Sequence, residues 1–200
     1  LYLALSMCYI YFNINQFSSY SHHVFIPFLV GIAAILYITM NKPTTQSGIA
    51  INHIVWFAFL TALSFMIIPI TSMSSDSMIY MALSFTFSIF VMMSAIVYLF
   101  PTFFQKTMHF MYPGLLLALI MIILIELYLI FIKQQYPANI HRYISYAVVT
   151  VFSLFISYDT QLMFEAAEQC RKYANYPESS MKFILDIVNI FVRTLSMQSR

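Results

Sequence analysis

Long apolar runs alternate with short polar breaks along this chain, and the runs have the length of membrane helices. A helix needs about 20 mostly apolar residues to cross the hydrocarbon core, within a range of about 17–25. Residues 1–17 form a first run, and a polar break at 18–23 ends it. Residues 24–40 form a second, closed by Asn41-Lys42-Pro43, where proline discourages continuation. After a short loop at 44–48, residues 50–70 form a third run with Pro69 near its end. A serine-rich turn at 71–77 holds Asp76, and residues 78–100 make a fourth run. Residues 101–109 read as a connector holding Lys106. Residues 113–132 read as the fifth helix, with Pro113 suited to its first turn. A polar loop at 133–142 leads to a sixth run at 143–164. The longest hydrophilic stretch, 165–180, precedes a more polar seventh helix at 181–197.

Short connections make antiparallel neighbours, so the pattern predicts an all-α polytopic membrane protein. The expected architecture is one seven-transmembrane-helix bundle over residues 1–200, whose last helix either spans or re-enters. Because the first run starts at residue 1, the natural N-terminus is expected upstream. No internal repeat and no strand-like alternation is visible.

Composition sharpens this class. The chain is 62% hydrophobic and 8% charged, against about 25% charged in soluble domains. A net charge of +2 without a basic cluster gives no nucleic-acid surface. Residues 1–132 carry only Lys42, Asp76, Lys106 and Glu126, and the remaining twelve charges fall in residues 133–200. Any chemistry is therefore expected in the last third. Loop charges favour a cytosolic N-terminus by a small margin: that orientation places Lys42, Lys106, Arg171 and Lys172 inside but Lys133 and Arg142 outside. Cys8 and Cys170 lie in unlike settings, so neither a disulfide nor a metal site is expected from them. His22-His23 reads as a wet turn, and no high-affinity metal site or cofactor is expected. The fourteen Met and twenty Phe read as packing. With three glycines, Gly31, Gly48 and Gly114, there is no phosphate-binding loop, and no nucleophile–base pattern supports an enzyme.

Acids inside apolar runs are costly and usually functional. Asp159 sits late in the sixth run and Asp186 in the seventh helix. Lys182, Asp186, Asn189 and Arg193 follow steps of 4, 3 and 4, one stripe of a helix. One reading is an interfacial amphipathic helix in which Asp186 pairs with Lys182 or Arg193. Asp159 would then merely end its span at the water interface. The other reading brings the two acids together. Two carboxylates in contact cannot both ionise cheaply, so one pKa rises and the pair shares a proton. Such a pair also offers oxygens to a hard cation, as a weak station suited to passage rather than storage. Glu126 is a third intramembrane acid. It lines the same path, reaches the interface, or pairs with a basic group such as Lys133 at i+7.

Three stretches carry a family resemblance. The run Tyr158-Asp159-Thr160-Gln161-Leu162-Met163-Phe164-Glu165-Ala166-Ala167-Glu168 resembles the [FY]-D-T-Q-L-x-x-E-x-A-E run of the Bax inhibitor-1 branch of the transmembrane Bax inhibitor motif family. Phe183–Phe191 resembles the L-x-L-D-x-x-x-x-F helix that follows it there, and Phe57-Ala58-Phe59-Leu60-Thr61 resembles the family's F-A-F-L-T stretch. Span count and order agree across nearly the whole chain. The resemblance implies a multi-pass protein of the endoplasmic reticulum membrane, a pH-sensitive calcium leak with calcium as the permeating ion, and suppression of Bax-induced apoptosis. It implies that Asp159 and Asp186 form the proton-sensing pair, with Thr160, Gln161, Glu165 and Glu168 as motif residues. Several features depart from the family. The third span lacks the family's glycines, and no arginine lies in residues 24–40, so Lys182 or Arg193 would have to serve any cation the pair needs. The family's lysine-rich tail does not appear before Ser199-Arg200, so tail-dependent behaviour is not expected, and the loop at 169–180 is longer than usual.

Two rival classes remain. One is a membrane scaffold that restrains apoptosis by binding Bcl-2 family proteins, without obligatory conduction. The other is a proton-coupled transporter, which is expected to show repeated halves that this chain lacks.

Overall fold

The computed structural model describes residues 2–16, 25–133, 138–168 and 175–198. Among these, 94% are helical and none lies in a strand. The order is α1 (Tyr2–Gln16), α2 (Phe25–Met40), α3 (Gln46–Ser72), α4 (Asp76–Leu99), α5 (Pro101–Tyr128), a π-helical turn (Leu129–Lys133), α6 (Ala138–Glu168) and α7 (Tyr176–Gln198). Four segments are long and apolar enough to cross a membrane: Gln46–Ser72, Asp76–Leu99, His109–Phe131 and Asn139–Ala167. With the shorter apolar α2, they make the all-α membrane bundle that the hydrophobic pattern predicts.

Three boundaries differ from that pattern. Residues 101–109 are not a connector but the first turns of α5. Pro101 sits where a helix needs no N–H, and the Phe100 carbonyl accepts from the amides of Phe103 (3.2 Å) and Phe104 (3.4 Å). Pro113 therefore falls inside α5 and costs a backbone bond, which membrane helices tolerate. α6 starts at Ala138 and runs on to Glu168, so the polar stretches around the sixth run are partly helical. α7 begins at Tyr176, five residues before the apolar pattern does. His22-His23, Cys170, Arg171 and Lys172 lie outside the described residues, as do the side chains of Lys133 and Glu168.

The described chain falls into two compact units, 1–75 with 169–185, and 76–168 with 186–200. In the first, α3 packs against both α1 and α2. A Cβ placed on Gly31 would meet the Ala62 Cβ at 3.8 Å, so small residues let α2 and α3 approach closely. Trp56, Phe59, Leu60, Ile67 and Ile68 form the buried face of α3. Tyr2 lies edge-on to Trp56, with ring centroids 5.2 Å apart, and hydrogen-bonds the His53 ring.

The start of α7 is tied down in this unit by a polar knot. Asn175 caps α7, its carbonyl accepting from the Glu178 amide at 3.1 Å. Its side-chain amide donates to the Ile38 carbonyl at 3.1 Å, one of the carbonyls that the end of α2 leaves without a helical partner. Buried Asn52 of α3 donates to the Asn175 Oδ1 and to the Asn41 carbonyl, both at 3.1 Å. The Asn52→Leu substitution is expected to cost about 1–3 kcal/mol, because the Asn175 Oδ1 loses its donor while exposed Asn41 can turn to water. A lowered thermal midpoint in mild detergent measures it, and an unchanged midpoint contradicts it.

In the second unit α6 packs against α4 and α5. Leu129, Ile144 and Val148 form its apolar centre, with Ile122, Ile140 and Phe152 around them. Hydroxyls on these helices mostly bond back to their own turns, as Thr86 does to the Ala82 carbonyl at 2.7 Å, so they need no water.

Candidate functional site

α6 carries Asp159 half-buried in its third quarter, nine residues before the helix ends. The acid therefore does not terminate the helix. Its neighbours Ser157, Thr160 and Gln161 are all buried. Thr160 donates to the Ile156 carbonyl at 2.7 Å and lies 3.3 Å from the Ser94 hydroxyl of α4. Gln161 donates through Nε2 to the Glu165 carboxylate at 3.1 Å, one turn on. Its Oε1 and the Ser157 Oγ are buried and have no hydrogen-bond partner among the described residues. The motif thus divides physically. Thr160 fastens α6 to α4, Gln161 steers Glu165, and two side-chain oxygens are left over beside Asp159.

Asp186 is the most deeply buried charged residue described, at 7% exposure. Its Oδ2 has no hydrogen-bond partner among the described residues. Asp159 lies near enough to act on it electrostatically, so the structure brings the two acids of α6 and α7 into one neighbourhood. Neither basic residue of the α7 stripe pairs with Asp186. Lys182 reaches Glu178, with Nζ to Oε1 at 3.2 Å. Arg193 turns to α5 and grips Glu126 with both guanidinium nitrogens, Nη1 to Oε1 at 2.5 Å and Nη2 to Oε2 at 2.7 Å. Two parallel N–H···O contacts make a geometrically demanding, charge-assisted pair. Asn189 lies between Asp186 and Arg193 on the same stripe and is half-buried.

No residue of α7 from Pro177 to Gln198 is exposed as a whole, although the Lys182 side chain on the polar stripe keeps 41% of its surface. Packing leaves the Asp186 Oδ2 over. Glu126 does pair with a basic group, and the partner is Arg193, 67 residues away in sequence. On α5, Ile125 and Leu127 beside it are exposed, and only the Ile122–Glu126–Leu129 face turns inward.

The sequence reading missed the residues that anchor α7. Asn175 followed three residues later by Glu178 has the grammar of a helix start, and an asparagine at position 52 stands out in an apolar helix. Both signals were present. Among the described residues no group of three or more His, Cys, Asp or Glu gathers as a metal site would.

No curated protein matches the chain. The model of the family described as inhibitor of apoptosis-promoting Bax1 matches residues 1–199. With the helical bundle and the run from Tyr158 to Glu168, this places the chain in that family: it is a Bax inhibitor-like multi-pass membrane protein, of a family that regulates apoptosis.

Proposed function

We propose that this protein is a pH-sensitive calcium leak of the endoplasmic reticulum membrane that restrains Bax-induced apoptosis by lowering stored calcium. The observation that supports the reading best is that Asp159 lies within electrostatic reach of Asp186, whose Oδ2 is buried and has no hydrogen-bond partner among the described residues. A bound proton or a hard cation relieves such a pair equally well, so the two compete for it. The leftover Ser157 Oγ and Gln161 Oε1 add neutral oxygens on the same helix. Calcium usually takes 6–8 oxygens, so this set holds it weakly and releases it readily. The pair therefore works as a step in a path and not as a store. Proton sharing biases how α6 and α7 pack, which couples pH to opening.

Purified protein in calcium-loaded liposomes tests the reading. Efflux above that of protein-free liposomes, changing with pH, is the expected result. Efflux equal to the protein-free control overturns it. Protection from Bax that persists without any efflux would instead favour a scaffold that binds Bcl-2 family proteins.

A further inference from the structure

The turn between α2 and α3 encloses a cavity of about 270 Å3. Tyr37, Lys42, Thr44, Thr45, Ser47 and Asn52 supply most of its polar groups. Lys42 is the one charged side chain in the lining, and among the described residues no acid joins it. Among those residues Lys42 has no ion pair, and the hydroxyls of Tyr37 and Thr44 have no hydrogen bond. The first turn of α3 does not make the site by itself, because the Thr45 Oγ1 already accepts from the Gly48 amide at 3.2 Å. Close approach of the turn to α3 shapes the cavity instead. A Cβ on Gly48 would meet the Thr45 Oγ1 at 3.3 Å and Pro43 at 3.6 Å. Buried Asn52 is fixed by its bonds to the Asn41 carbonyl and to Asn175. The cavity therefore offers a cation and spare donors on a fixed frame, which suits an anion with several acceptor oxygens.

A second, mostly apolar hollow adjoins the first. Ala33, Leu36, Tyr37, Met40 and Asn41 share one face of α2 and line an open groove there. Tyr37 and Asn41 line both hollows, so the polar cavity passes into the groove. From Asn41 back to Ala33 the groove runs about 12 Å along the helix axis, at 1.5 Å per residue. The turn joins two apolar helices, so its polar cavity lies at headgroup depth and the groove leads into hydrocarbon. The orientation favoured by the loop charges puts Lys42 on the cytosolic side, whose anionic lipids attract lysines beside a membrane helix. A free phosphate would use the cavity and leave the groove idle, whereas a phospholipid uses both. We propose that the α2–α3 turn binds one anionic phospholipid, with its phosphate at Lys42, Tyr37 and Thr44 and an acyl chain along Leu36 and Ala33. This site stands apart from the calcium-leak reading and holds whether or not the protein conducts.

Native mass spectrometry of the full chain in detergent tests the site, with phosphatidylglycerol and phosphatidylcholine of identical acyl chains as probes. One phosphatidylglycerol is expected to bind ahead of phosphatidylcholine. Lys42→Gln should weaken that first phosphatidylglycerol about fivefold, the scale of one lysine at an anionic surface, and leave phosphatidylcholine unchanged. Lys42→Arg keeps the charge and should keep most of the affinity. Lys106→Gln removes another exposed lysine, in the first turns of α5, and should change nothing. Ala33→Phe fills the groove at an exposed position, so it should weaken phosphatidylglycerol without lowering the thermal midpoint. Glycerophosphoglycerol, the same headgroup without acyl chains, should fail to displace the lipid at equal concentration. Equal affinity for the two lipids, equal losses from Lys42→Gln and Lys106→Gln, or indifference to Ala33→Phe overturns the proposal. Displacement by glycerophosphoglycerol overturns it too, and makes the turn a site for soluble phosphate esters.

Discussion

Protein carrying both Asp159→Asn and Asp186→Asn will lose the pH response of its calcium efflux, which should then hold one value between about pH 5 and pH 8. Asparagine matches the shape of a protonated aspartate and cannot titrate. The double variant is therefore fixed in the uncharged state, and its efflux should match the most acid limit of the unmodified protein at every pH. The sign follows from the state that is mimicked and needs no assumption about which state conducts more. Each single variant leaves one acid in place. A pH response should therefore persist in each single variant. His141, whose Nε2 lies 3.5 Å from the Ser196 hydroxyl, is the competing candidate. His141→Gln should leave the response intact. A response that survives the double asparagine variant and vanishes in His141→Gln would place the sensor at the other end of α7.

Why these acids were legible in the sequence, and the Glu126–Arg193 fork was not, has a physical answer. An aspartate in an apolar helix is rare because it is expensive, so Asp159 and Asp186 stand out without any structure. Their proximity needs only that the two helices be neighbours, and α7 follows directly after α6 in the chain. Partner choice is different. Glu126 has a basic residue seven positions away on its own segment, and local spacing nominates Lys133. Which way Glu126 points depends on how α5 rotates about its axis, and that is set by Ile122 and Leu129 turning toward Ile144 and Val148. A pattern within α5 cannot supply that angle.

The same limit explains the helix ends. Pro101 and Pro113 both look like helix starts, and sequence grammar prefers the one beside the apolar run. The chain uses the earlier one. The rise of polarity before Met181 likewise suggests a loop, whereas Asn175 starts α7 early because Asn52 and the end of α2 hold it there. α7 thus meets two fixed points, the knot at its first turn and the fork at Arg193. Asp186 lies between them, unpaired with either basic residue of its stripe. Under the proposed leak, this is the acid placed to answer to a proton or a cation.

The Trp56→Ala substitution is expected to destabilise the protein by about 3–5 kcal/mol, the usual cost of emptying an aromatic site in a packed core. Trp56 is fully buried on α3, with Tyr2 edge-on at 5.2 Å and Phe57 at 5.0 Å between ring centroids. Lipid is as apolar as a protein core, so what alanine forfeits here is mostly close contact and not transfer from water. The comparison with phenylalanine isolates the cause. The Trp56 Nε1 is buried and has no hydrogen-bond partner among the described residues. Trp56→Phe therefore orphans no acceptor, relieves a donor that is already unsatisfied, and leaves a smaller void, for a net cost of about 1–2 kcal/mol. If Nε1 were instead holding an unseen partner, both substitutions would orphan that acceptor, and phenylalanine alone would cost more than about 1–2 kcal/mol. Thermal unfolding of both variants in the same detergent separates these cases. A drop for phenylalanine well below that for alanine supports packing as the role of Trp56, and equal drops refute it. Aromatic packing at this position also holds the N-terminal end of α3, from which Asn52 reaches Asn175. Loss of the ring should therefore raise the amide exchange of the first turn of α7 as well as that of α1.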